Sequence, residues 1–190
     1  MDINEKISKE RALELFDSGD INNIEIGTVK GLKDIHYYLF HDLEGYNAGE
    51  IRNVNISKGT FTFASALYLE KALEEIEKMS ENSFDEIIDK YIEMNIAHPF
   101  IEGNGRTTRI WLDLILKKNL SLCVDWSKVD KDDYLNFMIL SPTQSKYIKE
   151  LLKESLTDKI HNRDVYMKGI DKSYEYEGLY EKNIGNKRKN

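Results

Sequence analysis

The chain of 190 residues has the length of one domain, and its formal net charge of −7 argues against a dedicated nucleic-acid-binding protein, which would carry a basic face. Hydrophobic residues make up 41% and charged residues 32% of the sequence, an ordinary balance for a globular protein. The single cysteine, Cys123, excludes an internal disulfide framework and a cysteine-rich zinc site. No apolar run approaches the roughly 20 residues of a membrane span, and the first residues lack the apolar segment of a signal peptide. We therefore expect a cytoplasmic protein without direct membrane or nucleic-acid partners.

Apolar residues recur at helical spacing along most of the chain. This spacing predicts a helix over residues 3–17, stopped by Gly19, and a second helix that begins after Thr28. The same spacing predicts later helices around 67–76, from Ser83 to the residue before Pro99, from the Gly103–Arg106 segment onward, and roughly over 128–140, 143–156 and 161–177. The predicted fold class is therefore all-α.

One segment breaks the helical pattern. From Gly49 to Phe63 the apolar and polar residues alternate, with Ser57-Lys58-Gly59 at the centre. This pattern predicts a β-hairpin, and no other segment gives a convincing one. We expect a helical bundle with one small hairpin, followed by a solvated, disordered tail over residues 179–190.

The most informative segment is HPFIEGNGRTTR, residues 98–109, which forms the loop between two apolar helices. The Gly103–Gly105 segment tolerates backbone angles that most residues avoid. At a helix start it can aim successive N–H groups into one concavity that binds anions. Arg106 and Arg109 share one face of the following helix, and two guanidinium groups above such a concavity suit a polyphosphate.

Two other side chains of this loop indicate chemistry. Glu102 comes just before the glycines, and a carboxylate together with phosphate oxygens and waters suits Mg²⁺. His98 lies at the other end of the loop, where a neutral imidazole can take a proton from an incoming hydroxyl. Phe100 is expected to anchor the loop in the core.

Each of these residues also has an ordinary structural interpretation. A Gly-Asn-Gly segment is most often a turn, arginines on a helix face are usually solvated, and a histidine after an apolar helix is more often packed than catalytic. Other phosphate motifs are absent from the sequence, because there is no G-x-x-x-x-G-K-[ST] segment and the third glycine of G-x-G-x-x-G is missing. His36 and His41 lack metal-ligand spacing and are assigned no role.

The whole segment resembles the signature of the Fic family, H-x-F-x-[DE]-G-N-G-R-x-x-R, and every fixed position matches. The resemblance implies a compact helical domain, here residues 1–178, that transfers AMP from ATP to a hydroxyl side chain of a target protein. It implies that His98 is the general base and that Glu102 holds Mg²⁺. The nucleotide-binding residues that it implies are Asn95, Gly103, Asn104, Gly105, Arg106, Thr107, Thr108 and Arg109.

The predicted hairpin also matches a feature of this family. In Fic proteins a flap beside the active site holds the target segment by adding it as a strand. The segment from Gly49 to Phe63 matches the flap in location, and Lys58 at its tip is expected to reach the nucleotide. The alternative is a plain surface hairpin.

A second motif, SYEYEG at residues 173–178, resembles the inhibitory motif of the family, [ST]-x-x-x-E-[GN]. Ser173 and Glu177 are four residues apart and share one helix face. The resemblance implies that this end helix, about 161–177, is inhibitory, because Glu177 paired with Arg109 would displace the γ-phosphate. Tyr174, in the same motif, is a candidate site of self-modification by AMP. The alternative is an amphipathic end helix whose Glu177 faces water.

Several functions are left open by the sequence. Related loops move UMP, phosphocholine or a phosphate, and the enzyme could also remove AMP, with Glu177 positioning water. A non-catalytic regulatory partner is a further alternative. Kinship with short Fic proteins suggests the B subunits of gyrase and topoisomerase IV as targets, and a homo-oligomer that supports the end helix.

Overall fold

The computed structural model describes residues 1–178, so the predicted tail at 179–190 lies outside the described residues. The described part contains eight α-helices, in agreement with the predicted all-α class: α1 (Ile3–Asp17), α2 (Val29–Phe40), α3 (Leu69–Glu77), α4 (Phe84–Ala97), α5 (Asn104–Leu120), α6 (Lys131–Leu140), α7 (Lys146–Glu154) and α8 (Arg163–Tyr176). Short 3₁₀ turns lie between several of them.

Side-chain caps explain where several helices begin. Thr28 and Ser83 accept hydrogen bonds from the backbone N–H groups of Gly31 and Glu86, at the starts of α2 and α4. These contacts satisfy N–H groups that have no partner inside the helix. Asp130 does the same for α6, which therefore begins later than the predicted residue 128.

The predicted hairpin is present but much shorter than predicted. Its strands are β1 (Ser57–Lys58) and β2 (Phe61–Thr62), paired antiparallel with Lys58 opposite Phe61. The segment before β1 is irregular, because the Arg52 backbone N–H donates to the Pro99 carbonyl and its guanidinium donates to the carbonyls of His98 and Val54 rather than to a strand partner. A second short antiparallel pair, β3 (Cys123–Val124) with β4 (Leu156–Thr157), was not predicted, since two residues are too few to show alternation.

Helix α5 lies at the centre of the fold. It packs against α2, α4 and α8, and its apolar residues Trp111, Leu112, Ile115 and Leu116 are fully buried. The start of α5 is therefore held by the core, and that rigidity fixes the loop that precedes it. Among residues 1–178, no helix is both long and apolar enough to cross a lipid bilayer.

Helix α8 packs back across α1 and α5. The Tyr166 hydroxyl donates to the carbonyl of Ala12 at 2.7 Å, and its ring stacks on Phe16. Near the other end of α8, the Tyr176 hydroxyl donates to the carbonyl of Val129 at 2.8 Å. These contacts bring the end of the described chain beside the start of α5.

Candidate active site

The loop between α4 and α5 is closed by its own side chains. Asn104 accepts a hydrogen bond from the Phe100 N–H at 2.8 Å and donates to the Phe100 carbonyl at 2.7 Å. The Phe100 side chain is fully buried, as expected for a residue that anchors the loop. The loop ends at Gly103, whose φ of 82° is costly for other residues and whose added Cβ would lie 2.5 Å from the Phe40 ring.

Two residues hold this loop from outside. His36 accepts from the Gly49 N–H at 2.9 Å through Nδ1, so its Nε2–H donates to the Glu102 carbonyl at 2.8 Å. Arg52 is 4% exposed, and its guanidinium donates to the carbonyls of His98 and Ala97 at 2.7 and 2.9 Å. Arg52 thus satisfies carbonyls at the end of α4, where no helical partner is available.

His98 ends α4 in the left-handed conformation, with φ of 47°. Its Nδ1 lies 3.3 Å from the Asn95 carbonyl, and donation there leaves Nε2 as the acceptor. The ring stacks on Phe63 of the flap segment, with centroids 3.6 Å apart and planes at 11°. Burial disfavours the imidazolium and lowers the pKa of His98 to about 4. The imidazole is therefore neutral and able to accept a proton at physiological pH.

The pKa of about 4 differs from the value near 6 to 7 that an ordinary histidine base would show. The charges around the ring explain only part of the shift. Desolvation has the largest effect on this pKa and lowers it; the hydrogen bond to Asn95 and the Glu177 carboxylate raise the pKa, whereas Lys58 and Arg52 lower it further. The Phe63 ring covers one face of the imidazole and supplies part of that desolvation.

Replacing Phe63 by leucine is expected to raise the pKa of His98 from about 4 toward 6.5, by roughly one to two units, because water then reaches the imidazolium. Nuclear magnetic resonance titration of the His98 ring measures this directly and requires no activity. Phe61→Leu is the matched control, since Phe61 packs on Phe63 and has no stacking contact with His98. An unchanged His98 titration in Phe63→Leu would contradict the role of the stacked ring.

Arg109 is paired with the end of the chain. Its guanidinium is 3% exposed and donates from Nε to the Ser173 Oγ at 2.8 Å and from Nη2 to the Ser173 carbonyl at 2.9 Å. Nη2 also donates to Glu177 Oε1 at 2.7 Å. Burial alone would raise the pKa of the Glu177 carboxyl, but the Arg109 charge and hydrogen bond outweigh it and hold the pKa below its usual value. Glu177 is therefore ionised at neutral pH.

Glu177 lies within the cleft, contrary to the alternative in which it faces water. A Cβ added to Gly105 would lie 2.1 Å from Glu177 Oε1, so this carboxylate rests against the start of α5. Glu177 Oε2 lies 3.8 Å from the Lys58 ammonium on the flap. One carboxylate therefore occupies the place where an anion would meet the first turn of α5, Arg109 and Lys58.

Arg106 has a different environment from Arg109. It is 2% exposed, and its Nη1 donates to Glu5 of α1 at 2.5 Å. Its Nη2 lies 3.3 Å from Glu102 Oε1, and the guanidinium lies over the rings of Phe40, Tyr46 and Tyr174. The two arginines of the motif therefore do not share one open face: one is under the loop and one faces Glu177.

The cleft has a volume of about 590 Å³. The flap lines one side with Lys58 and Phe63, and α6 lines the other with Tyr134, Leu135 and Ile139. Its floor contains predicted site residues, namely Asn95, His98, Glu102, Asn104, Gly105, Arg109 and Glu177.

Thr107, Thr108 and Tyr174, which were predicted as site residues, do not line the cleft. Thr107 and Thr108 are buried on α5, with hydroxyls donated to the carbonyls of Gly103 and Asn104 at 2.9 and 2.8 Å. This placement argues against nucleotide contacts for both threonines. Tyr174 is 1% exposed and shares a hydrogen bond of 2.7 Å with Ser8. Its hydroxyl is inaccessible while α8 is docked, which argues against Tyr174 as an AMP acceptor in this state.

Sequence reasoning missed several residues that shape the site: Glu5, His36, Arg52, Phe63 and Tyr134. The Tyr134 hydroxyl, for example, accepts from Arg109 Nη1 at 3.3 Å and bonds to the Tyr91 hydroxyl. These residues are distant in sequence from the loop, and their types carry no local motif. His36 gave one signal, a histidine within an otherwise apolar helical face, but that pattern does not identify its partner.

Comparison with protein-family models matches residues 27–116 to the Fic/DOC family. Protein adenylyltransferase VbhT from Bartonella schoenbuchensis is 31% identical over 148 residues, which are 70% of this chain and 30% of that protein. Probable protein adenylyltransferase Fic from Escherichia coli K12 is 29% identical over 124 residues, which are 57% of this chain and 61% of that protein. The chain thus spans less than two thirds of the length of either relative.

Solved structures show the same fold. The BepC protein of Bartonella tribocorum, a VirB-translocated effector solved with bound AMPPNP, superposes with a TM-score of 0.59 at 21% identity, covering 79% of this chain and 86% of that chain. The N-terminal Fic domain of an effector from Bartonella sp. AR 15-3 superposes with a TM-score of 0.67 at 18% identity, covering 81% and 82%. The complete loop signature, the helical fold around it and the family match agree, and the chain belongs to the Fic/DOC family.

Proposed function

We propose that this protein is a protein adenylyltransferase that transfers AMP from ATP to a hydroxyl side chain of a target protein. The observation that carries the proposal is the assembly of the His98 imidazole, the Glu102 carboxylate, Arg109 and the start of α5 in one cleft. The names of the relatives, which are protein adenylyltransferases, support AMP as the group that is moved.

The proposed reaction is an in-line displacement at the α-phosphorus. The target hydroxyl gives its proton to Nε2 of His98, and its oxygen forms a new bond to the α-phosphorus. The bond from this phosphorus to the α–β bridging oxygen breaks, and pyrophosphate leaves with the electron pair. Arg109 and the N–H groups at the start of α5 stabilise the charge that develops on the leaving group.

Glu102 is the residue that would hold Mg²⁺. Its side chain is 58% exposed and lines the cleft, and its Oε1 is oriented by the Gly103 N–H at 3.0 Å. Within residues 1–178 no cluster of three or more His, Cys, Asp or Glu suits a metal, so the other ligands would be phosphate oxygens and waters, as Mg²⁺ prefers. The bound ion would offset the negative charge of the phosphates.

The flap would position the target. The pair β1–β2 has two strands, so its outer edges can accept an extended peptide as a further strand. A hydroxyl on that peptide would then be held near His98, because Phe63, next to β2, already stacks on the imidazole. Lys58 on β1 would contact the phosphates from the same side.

Helix α8 would keep the enzyme inhibited. Glu177 accepts a hydrogen bond from Arg109 Nη2 and lies against Gly105, in the place where the outer phosphates of ATP are expected. ATP would then bind in a shifted pose in which the leaving group is not in line with the target hydroxyl. The same proposal includes a homo-oligomer that supports α8 in its docked position. Its proposed target proteins are the B subunits of gyrase and topoisomerase IV.

The test uses the Glu177→Gly variant with Mg²⁺ and ATP labelled at the α-phosphate, incubated with lysate and with the purified B subunits. AMP transfer predicts protein bands labelled from α-labelled but not from γ-labelled ATP. Label from the γ-position would indicate phosphate transfer, and label from UTP in preference to ATP would indicate UMP transfer. The absence of labelled protein and of nucleotide turnover would contradict the proposed function.

A further inference from the structure

Helix α1 reaches the active site through a single acidic residue. Glu5, 101 residues away from Arg106 in sequence, accepts a hydrogen bond from Arg106 Nη1 at 2.5 Å. Its other oxygen accepts from the Tyr46 hydroxyl at 2.5 Å. Both oxygens of this carboxylate are therefore used, and its side chain is 13% exposed.

The Arg106 guanidinium has little freedom in this arrangement. Three aromatic rings, of Phe40, Tyr46 and Tyr174, lie within 4.9 to 5.5 Å of its central carbon. The ring faces attract a cation but do not fix its rotation, and the Tyr46 hydroxyl accepts from Nη2 only at a long 3.5 Å. The Glu5 oxygen is a directional partner, and a charge-assisted bond of this kind fixes the plane of the fork.

The consequence of that fixation lies on the opposite edge of the guanidinium. With Nη1 on Glu5, Nη2 lies 3.3 Å from Glu102 Oε1, at the floor of the cleft. Nε is a buried side-chain polar atom without a hydrogen-bond partner in residues 1–178. A guanidinium free to rotate could satisfy Nε by turning away from Glu102. Glu5 opposes that rotation.

We propose that Glu5 of α1 is a positioning residue for AMP transfer, which acts by holding Arg106 with its Nη2 edge toward Glu102 and the phosphate site. The inference rests on the proposed function. It assigns α1, which lies outside residues 27–116 that match the family model, a part in the active site.

The opposite role for Glu5 makes a different prediction. If Glu5 merely neutralised Arg106 and competed with phosphates, Glu5→Gln would raise the rate. If Glu5 positions Arg106, glutamine keeps an acceptor oxygen for Nη1 and retains most of the rate, whereas alanine does not. The glutamine amide can also donate a hydrogen bond to the Tyr46 hydroxyl oxygen. Glutamine therefore retains the geometry of both Glu5 contacts, with Arg106 and with Tyr46.

The experiment compares Glu5→Ala and Glu5→Gln in the Glu177→Gly background, with kcat and KM for ATP measured separately. We expect alanine to lower kcat by about tenfold to a hundredfold with a smaller change in KM, because misplaced catalytic groups act mainly on the transition state. Lys9→Ala is the matched control. Lys9 is one turn further along α1 and pairs with Asp171 of α8 at 2.7 Å, and its loss should leave kcat unchanged.

A double-mutant cycle separates positioning from simple stabilisation of the fold. If Glu5 acts through Arg106, adding Glu5→Ala to Arg106→Ala causes no further loss of kcat. An equal loss in both backgrounds, or a kcat for Glu5→Ala equal to that of the parent, would overturn the inference. So would a rate for Glu5→Gln above the parent.

A binding measurement keeps the inference separate from the proposed function. Calorimetric titration with pyrophosphate and Mg²⁺ requires no turnover and no target protein. We expect Glu5→Ala to weaken pyrophosphate binding by about tenfold, and Glu5→Gln by much less. If the Glu177→Gly parent transfers no AMP, the proposed function fails, and the pyrophosphate series alone then decides on Glu5: equal affinities for all three proteins would refute it.

Discussion

The Glu177→Gly variant is expected to transfer AMP about a hundredfold faster than the unmodified protein, which corresponds to about 2.8 kcal/mol. The Glu177–Arg109 contact of 2.7 Å is partly desolvated, and its carboxylate lies where the outer phosphates are expected. Such a pair is strong enough to account for this factor. Initial rates with α-labelled ATP and one purified target, for both proteins at equal concentration, measure the ratio.

The variant is also expected to stay folded. Without Glu177, Arg109 keeps its two bonds to Ser173 and its contact with the Tyr134 hydroxyl, so no bare buried cation results. Glycine is well tolerated at position 177, because that residue follows the last residue of α8. Asp171→Asn is the matched control, since Asp171 carries a like charge on α8 and faces α1 instead of the cleft. Equal rates for Glu177→Gly and the unmodified protein would refute the inhibitory role.

The His98→Ala change in the Glu177→Gly background is expected to lower AMP transfer by at least about a thousandfold, while ATP binding changes little. The imidazole is the proposed proton acceptor, whereas the proposed nucleotide contacts come from Arg109, the start of α5 and the flap, which line the same cleft. Rates from α-labelled ATP and affinities from calorimetry test the two halves of this prediction separately.

His41→Ala is the control for His98→Ala. His41 lies beyond the end of α2, where its Nδ1 bonds to the Tyr37 carbonyl at 3.0 Å, and it does not line the cleft. Its replacement should leave the rate unchanged. Retained turnover in His98→Ala would remove His98 as the base, and a parallel loss of ATP binding would show that the residue shapes the nucleotide site instead.

The pH dependence follows from the same residue. Because burial lowers the pKa of His98 to about 4, the imidazole is already deprotonated above about pH 5, and kcat/KM should be flat from there through neutrality. A base with an ordinary pKa would instead lose activity below about pH 6.5. A profile for the Glu177→Gly variant distinguishes the two, since kcat/KM reports the free enzyme.

Local signals in the sequence predicted the framework of the site. The loop from His98 to Arg109 combines glycines at a helix start with an acid and a histidine at fixed spacing, and its chemistry depends on neighbours in sequence. Caps such as Thr28 and Ser83 likewise act within one helical turn, so the starts of α2 and α4 were predictable. The family resemblance rests on the contiguous residues 98–109, and both the family match and the helical fold agree with it.

The sequence alone determined that this chain places a complete Fic signature between two apolar helices. It also determined that Ser173 and Glu177 lie four residues apart near the end of the last predicted helix. The family resemblance implied that Glu177 pairs with Arg109, and the structure contains this contact across 68 residues. Only the tertiary structure showed that Glu5 of α1 binds Arg106, across 101 residues. It also placed Thr107, Thr108 and Tyr174 away from the cleft. The physical reason is that helix caps and anion-binding N–H groups arise from backbone geometry within one turn, which the local sequence determines. The partner of a buried charge depends instead on which helices pack together, and the spacing of residues in the sequence does not specify that packing.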